Sequence, residues 1–158
     1  LTGHLVFTTV HANNVVDVLG RFLNMKVELY NFVSALNCIL AQRLVRKICP
    51  QCRTVSTPTA QLLEESAIAP EQMAGATLYE GRGCIDCNGT GFYGRMAITE
   101  LLDLSDRIRS LILDKRPAAE IKKAAQAEGM SFLRESAIKK VLAGQTTLRE
   151  INKVTFVE

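Results

Sequence analysis

Two C-x-x-C pairs, Cys49-Pro50-Gln51-Cys52 and Cys84-Ile85-Asp86-Cys87, constrain this chain more than any other feature and hold four of its five cysteines. In a C-x-x-C knuckle both sulfurs turn toward one point, and two knuckles give four thiolates arranged tetrahedrally around one Zn²⁺. Four thiolates leave no open coordination position, so the expected site is structural and not catalytic. Iron in a rubredoxin-like site uses the same ligands, and spacing alone does not choose the metal. Mutual disulfides and unligated thiols are the other fates open to such pairs. Metal binding stabilises small zinc modules by about 10–16 kcal/mol. The Pro- and Gly-rich stretch between the pairs could not easily match that by apolar burial.

The rest of the chain can fold around apolar cores, since it has 158 residues and is 47% hydrophobic. That length suits one domain, or a domain with a small module. The net charge of +3 is mild and does not point to a nucleic-acid binder or a membrane-surface protein. No apolar run approaches the roughly 20 residues that span a bilayer. No basic flank leads into an apolar segment as in a signal peptide. Together with paired C-x-x-C spacing, this favours reduced thiols in a cytoplasmic compartment. The chain opens at Leu1 directly on an apolar run, as expected of a piece of something longer.

Leu5-Val6-Phe7-Thr8-Thr9-Val10 is β-branched and apolar and reads as a buried strand. Asn13 and Asn14 can cap the helix that follows, which presents Val15, Val16, Leu19, Phe22 and Leu23 on one face. The apolar spacing predicts a second helix from about 31 to 46, with Cys38 a small core residue beside its apolar face. Gln61–Ser66 reads as a short helix, Pro70 as the start of another, and Thr77-Leu78-Tyr79 as a strand entering the second knuckle. Met96–Leu102 reads as a strand. Ser105 can cap a helix with Ile108, Leu111 and Ile112 inward, and Pro117 suits the first turn of the next, which stops at Gly129. A helix from about Ser131 would carry Phe132, Leu133, Ile138, Val141 and Leu142 near one face, and Gly144 would end it. Thr147-Leu148-Arg149-Glu150 has capping-box spacing for a last short helix.

A second candidate site lies at the amino-terminal run. His11 would stand at the carboxyl end of a buried strand, just before a helix, where open α/β sheets bind ligands. His4 precedes it by seven residues. An extended strand would separate the two by roughly 20 Å, too far to share a ligand unless the chain bends.

Cys87-Asn88-Gly89-Thr90-Gly91 resembles the zinc repeats of DnaJ-type chaperones, but the first pair lacks the glycines and those proteins use several copies. A resemblance with more motifs in order begins at Leu1, where LTGHLVFTTVHANN resembles the histidine box of the secretion ATPases. These are the hexameric motors of type II secretion and type IV pilus assembly. The likeness continues through Leu40-Ala41-Gln42-Arg43-Leu44-Val45-Arg46 and the first cysteine pair. It then runs from Gly83 to Arg95 and through Ile98-Thr99-Glu100-Leu101-Leu102. From Leu104 onward only helical character matches.

That resemblance implies an α/β, helix-rich fold: the C-terminal part of a RecA-like P-loop ATPase core, carrying an inserted tetracysteine zinc module and a terminal helical region. Residues 1–44 would be the tail of the core, 45–95 the zinc module, and 96–158 a strand and helices. His4 and His11 would be the histidine-box residues, near the γ-phosphate. Cys49, Cys52, Cys84 and Cys87 would hold structural Zn²⁺, while ATP and Mg²⁺ would serve the full-length protein. The expected partners are further copies in a homo-hexamer, and platform and recruitment proteins of the inner membrane. The expected location is cytoplasmic, peripheral to that membrane. The family's phosphate loop, G-x-x-x-x-G-K-[ST], is absent from these 158 residues, so no ATP turnover is expected of this chain alone.

The alternative from another class is a free-standing zinc module that recognises nucleic acid or protein. Arg43, Arg46, Lys47 and Arg53 support it, but the few aromatics near the knuckles (Tyr79, Phe92 and Tyr93) supply little base stacking.

Overall fold

A computed structural model describes residues 3–24, 28–73 and 75–155. In chain order come helices α1 (Val15–Asn24) and α2 (Leu29–Ala35), strands β1 (Cys38–Ile48) and β2 (Arg53–Ser56), helix α3 (Ala60–Glu65), and a 3-10 turn at Pro70–Met73. Strands β3 (Leu78–Gly81) and β4 (Phe92–Asp103) follow, then helices α4 (Asp106–Leu113), α5 (Ala118–Ala127), α6 (Leu133–Leu142) and α7 (Leu148–Asn152). This mixture agrees with the α/β, helix-rich class. Strand β1 pairs with β4, and β2 with β3. By contact the chain divides into two compact units: Leu1–Ala41 with Glu100–Phe132, and Gln42–Thr99 with Leu133–Glu158. Both β1 and β4 run from one unit into the other.

The first unit is built on one apolar cluster. Val15 and Leu19 of α1, Val33 of α2, Ile39 of β1 and Leu102 of β4 join Ile108 and Ile112 of α4 and Ile121 of α5 there. Phe22 and Phe32 stack beside it with ring centroids 4.3 Å apart. Helix α1 begins where Asn14 Oδ1 accepts the Asp17 amide at 2.8 Å, and α4 where Ser105 Oγ accepts the Ile108 amide at 3.2 Å. Each replaces a partner that the first helical turn lacks. Ile108 and Ile112 point inward as their spacing predicts, and Leu111 packs on the same cluster. Pro117 falls one residue earlier than expected, as the N-cap of α5.

Three expectations for this part of the chain fail. Residues 4–10 form no strand, and Leu5, Val6 and Phe7 are exposed. A β-branched run needs neighbouring strands to bury its faces, and among the described residues neither two-stranded sheet includes it. The helix expected over 31–46 ends at Ala35, Leu36 turns extended, and β1 follows. Alternation explains the error: Ile39 and Val45 are buried while Leu40 and Leu44 face outward, a period of two that also passes for a helical stripe over a short span. Cys38 is accordingly exposed at the start of a strand and is not a core residue. The side chain of Leu23, placed on the apolar face of α1 from its spacing, lies outside the described residues, as does Leu1.

In the second unit β2 and β3 form an antiparallel ribbon with Arg53 opposite Gly81 and Ser56 opposite Leu78. The expected short helix appears as α3, capped by Thr59, and Pro70 opens the 3-10 turn. Strand β4 extends beyond the expected Met96–Leu102 at both ends. Helix α6 buries Leu133, Ala137 and Val141. Ile138 is half-buried and Leu142 exposed, so the inward stripe keeps strict i, i+4 spacing instead of the broader face expected. Gly144 ends the helix at φ +66°, in the left-handed region suited to glycine.

Long-range polar contacts join these elements. Arg46 of β1 donates to both carboxylate oxygens of Glu150 in α7, at 2.8 and 2.6 Å. Thr146 Oγ1 donates to the Arg46 carbonyl at 2.8 Å. Arg134 of α6 donates to Asn152, Thr155 and the Ser66 carbonyl, which fastens α3 to α6 and α7. The capping box at Thr147 is half realised. Thr147 Oγ1 accepts the Glu150 amide, but the Glu150 carboxylate is turned to Arg46 and Lys153.

Candidate metal centre

Cys49 and Cys52 bracket the turn between β1 and β2, and Cys84 and Cys87 sit in the loop after β3. The β2–β3 ribbon places these two loops side by side. The four sulfurs lie within 4.8 Å of one another. Cys49 to Cys84 is 3.8 Å, Cys52 to Cys87 is 3.9 Å, and Cys84 to Cys87 is 3.7 Å. A tetrahedron with metal–sulfur bonds of about 2.3 Å has edges of about 3.8 Å. The sulfurs are therefore spaced as one four-coordinate ion requires. None of these pairs approaches the roughly 2.05 Å of a disulfide, and all four cysteines are free, which removes the disulfide alternative. Among the described residues this is the one cluster of three or more His, Cys, Asp or Glu side chains gathered at ligand distance.

Backbone amides complete the cage. Gly83 donates to Cys52 Sγ at 3.3 Å, while Cys84 and Gly91 each donate to Cys87 Sγ at 3.2 Å. Such donors stabilise sulfur in its thiolate form. The second knuckle is further held by the Gly89 amide on the Cys84 carbonyl at 2.9 Å and by Thr90 Oγ1 on the Cys87 carbonyl at 2.7 Å. The first is tied across by the Cys49 amide on the Gly91 carbonyl at 2.9 Å.

Glycine is required where these loops meet. A Cβ on Gly83 would lie 2.6 Å from the Gly89 carbonyl oxygen, and Gly81 and Gly91 approach so closely that a Cβ on either would strike the other's carbonyl. Gly91 also has φ +76°. Gly89 and Gly91 are recognisable from the sequence as turn residues. Gly81 is not, although its place in Gly81-Arg82-Gly83-Cys84 mirrors Gly89-Thr90-Gly91 and marks the same tight approach.

The thiols do not share one proton affinity. Burial pushes Cys87 up, but the Cys84 and Gly91 amides and the neighbouring thiols pull it down to about 6. The Cys87 backbone lowers Cys84, yet burial and the thiols of Cys87 and Cys49 outweigh this and push it up to about 12. Cys52 is also raised, chiefly by burial. One thiolate thus forms readily at Cys87, while Cys84 and Cys52 resist deprotonation without a cation among them. A divalent metal relieves that repulsion.

Of the basic residues near the cysteines in sequence, two have other attachments. Arg46 binds Glu150 and stacks 4.1 Å over Phe92, and Arg53 stacks 3.6 Å over Tyr79. Lys47, Arg82 and Arg95 are exposed. His4 and His11 lie apart from any such cluster, both exposed in the irregular stretch before α1, with His11 three residues ahead of its cap Asn14. Among the described residues, no helix is long and apolar enough to cross a membrane.

The chain is thus an α/β protein with four free thiols spaced to hold one metal ion. Residues 1–153 match the family model described as type II/IV secretion system protein, and the chain belongs to that family. It is 43% identical over 151 residues to the type IV pilus assembly ATPase PilB of Thermus thermophilus, covering 96% of this chain and 17% of that protein. To the protein of the same name from Myxococcus xanthus it is 41% identical, covering 96% and 27%. To type II secretion system protein E of Pseudomonas aeruginosa it is 37% identical over 158 residues, covering 100% and 31%. The chain thus spans less than a third of the length of these relatives.

Proposed function

We propose that this chain works as part of a hexameric ATPase motor that drives type IV pilus assembly or type II secretion, and that its four cysteines hold a structural Zn²⁺. The observation that carries this reading is the tetrahedral spacing of Cys49, Cys52, Cys84 and Cys87, found in a chain so similar to pilus-assembly and secretion ATPases. Residues 1–44 and 96–158 belong to a RecA-like core and its helical extension, with 45–95 an inserted module. ATP and Mg²⁺ bind mainly to parts of the full-length protein that carry a phosphate loop, which these 158 residues lack. His4 and His11 couple nucleotide state to movement at the γ-phosphate. Zn²⁺ is the ion proposed for this closed tetrathiolate site, and iron, which takes the same four ligands, is the alternative that metal analysis separates from it.

In that motor the metal module acts as a rigid outward surface for an inner-membrane platform or recruitment protein, and the motor works at the cytoplasmic face. Its zinc carries no catalytic step. When bound it fixes the two knuckles, and this chain's Gly83, Cys84 and Gly91 amides orient the sulfurs.

Two measurements test the reading. Metal analysis of the purified chain is expected to give one zinc per chain, and Cys84→Ser with Cys87→Ser none; stoichiometric iron, or no metal in the unaltered chain, overturns the zinc assignment. Full-length protein is expected to hydrolyse ATP in the presence of Mg²⁺ while the 158-residue chain does not. Metal-dependent turnover by the short chain would contradict the division of labour proposed here.

A further inference from the structure

Glu100 is 4% exposed, in the Ile98-Thr99-Glu100-Leu101-Leu102 stretch of β4, and is not one of the four clustered metal-ligating side chains. Its Oε1 accepts the Val15 amide at 2.7 Å across 85 positions of sequence. Val15 is the first residue of α1, four residues after His11. Its N–H is one of the donors that a helix start cannot satisfy internally, and a carboxylate there is also favoured by the helix dipole. Asn14 accepts the Asp17 amide in the same turn. The entry into α1 is therefore fixed twice, once locally and once by a buried side chain of a distant strand.

We propose that Glu100 is a positioning residue for His11. By holding the first amide of α1 to β4, it sets where the chain leaves the histidine segment, and so where His11 meets the bound nucleotide. The inference rests on the reading of His11 given above. A buried carboxylate carries a desolvation cost that an aliphatic side chain at the same place would not. A role in aiming a short segment explains why an acceptor stands there and not another aliphatic side chain. Displacement of a catalytic group by about 1 Å can reduce turnover by roughly 100-fold.

The test uses full-length protein and separates kcat from KM for ATP. Glu100→Met keeps the side-chain length and removes the acceptor, and Glu100→Gln keeps an acceptor oxygen. Val15→Pro removes the donor at a first-turn position that proline tolerates, so the bond can be deleted from either end should one variant fail to fold. Glu100→Met and Val15→Pro are each expected to lower kcat at least tenfold with KM changed less than twofold. Glu100→Gln should stay within about threefold of the parent, and combining Met with Pro should cost no more than either alone. Parent-like kcat in a folded Met or Pro variant overturns the proposal, as does a Gln variant as impaired as Met. His11→Ala is run alongside. If it turns over normally, the reading of His11 fails and takes this inference with it. If it is impaired while the Met and Pro variants are not, only the inference fails.

Discussion

Two ion pairs of the second unit, from Arg46 and Lys153, converge on Glu150. The hydrogen bond from Arg46 lowers its pKa most, burial opposes this, and Lys153 at 2.6 Å lowers it again, leaving it at about 2. The shift on Arg46 agrees in direction, since Glu150 raises it. A carboxylate whose pKa falls from about 4.5 to about 2 on folding contributes stability that is complete above pH 4.5 and is lost as pH drops toward 2. The shift alone corresponds to about 3 kcal/mol. Arg46 and Lys153 are 43% and 60% exposed, so solvent screening reduces this to about 1–2 kcal/mol. Urea unfolding of the parent and of Glu150→Gln should differ by that amount at pH 6, with the difference shrinking below pH 4.5. Taking the difference cancels any effect of acid on the cysteine cluster, which is common to both proteins. A gap unchanged from pH 6 to pH 3 would show that the ion pairs are not its source. At this scale the gathering of the four cysteines is legible from their spacing, because a C-x-x-C knuckle is a local motif. The partnership of Arg46 with Glu150 is not, because nothing in either segment records a neighbour 104 positions away.

Among the elements, helix starts were better marked than strands. Asn14, Ser105 and Thr147 each accept an amide of the following turn, as their polar side chains ahead of apolar runs suggest. Strand β1 reads as helix because Ile39, Leu40 and Leu44 fit a helical stripe, whereas in the strand Ile39 turns inward and Leu40 and Leu44 outward, and only a paired neighbour decides between the two periods. The run 5–10 has the composition of a buried strand but no described partner, and its side chains stay exposed. Composition states what a segment can become, and the rest of the sheet determines whether it does. The cap of α4 makes a quantitative test. Ser105 Oγ both accepts the Ile108 amide and donates to Glu128 at 2.8 Å. Ser105→Ala should cost about 1 kcal/mol of stability. Asn keeps an acceptor and a donor, so Ser105→Asn should recover most of it. Asp, ordinarily as good a cap, would face the Glu128 carboxylate and recover less. Equal recovery by Asn and Asp in urea unfolding would mean that the Glu128 contact contributes nothing.

On the scale of the whole molecule, the two units draw their stability from different sources. The first has a continuous apolar cluster that takes in six elements. The second buries side chains such as Ile48, Leu78, Val141 and Ile151, but its ribbon has two four-residue strands, and α3 has no buried residue. Its loops meet glycine against glycine at Gly81 and Gly91, where no side chain can add burial. The ribbon and knuckles should then depend on the metal, because apolar burial around them is small and four crowded thiols without a cation repel as they ionise. Helices α6 and α7 have other support from Arg46–Glu150 and the Arg134 contacts. Removal of the metal with a strong chelator at neutral pH, followed by amide hydrogen exchange, should therefore give a graded result. The amides of 49–56 and 78–92 should lose protection first and by the largest factor. Those of α6 and α7 should lose less, and those of α4 and α5, which belong to the first unit, should keep theirs. Restoring Zn²⁺ should reverse the change. Uniform loss of protection across both units would mean that the metal supports one cooperative fold; unchanged protection at the knuckles would mean that the glycine packing and amide–sulfur bonds hold them without it.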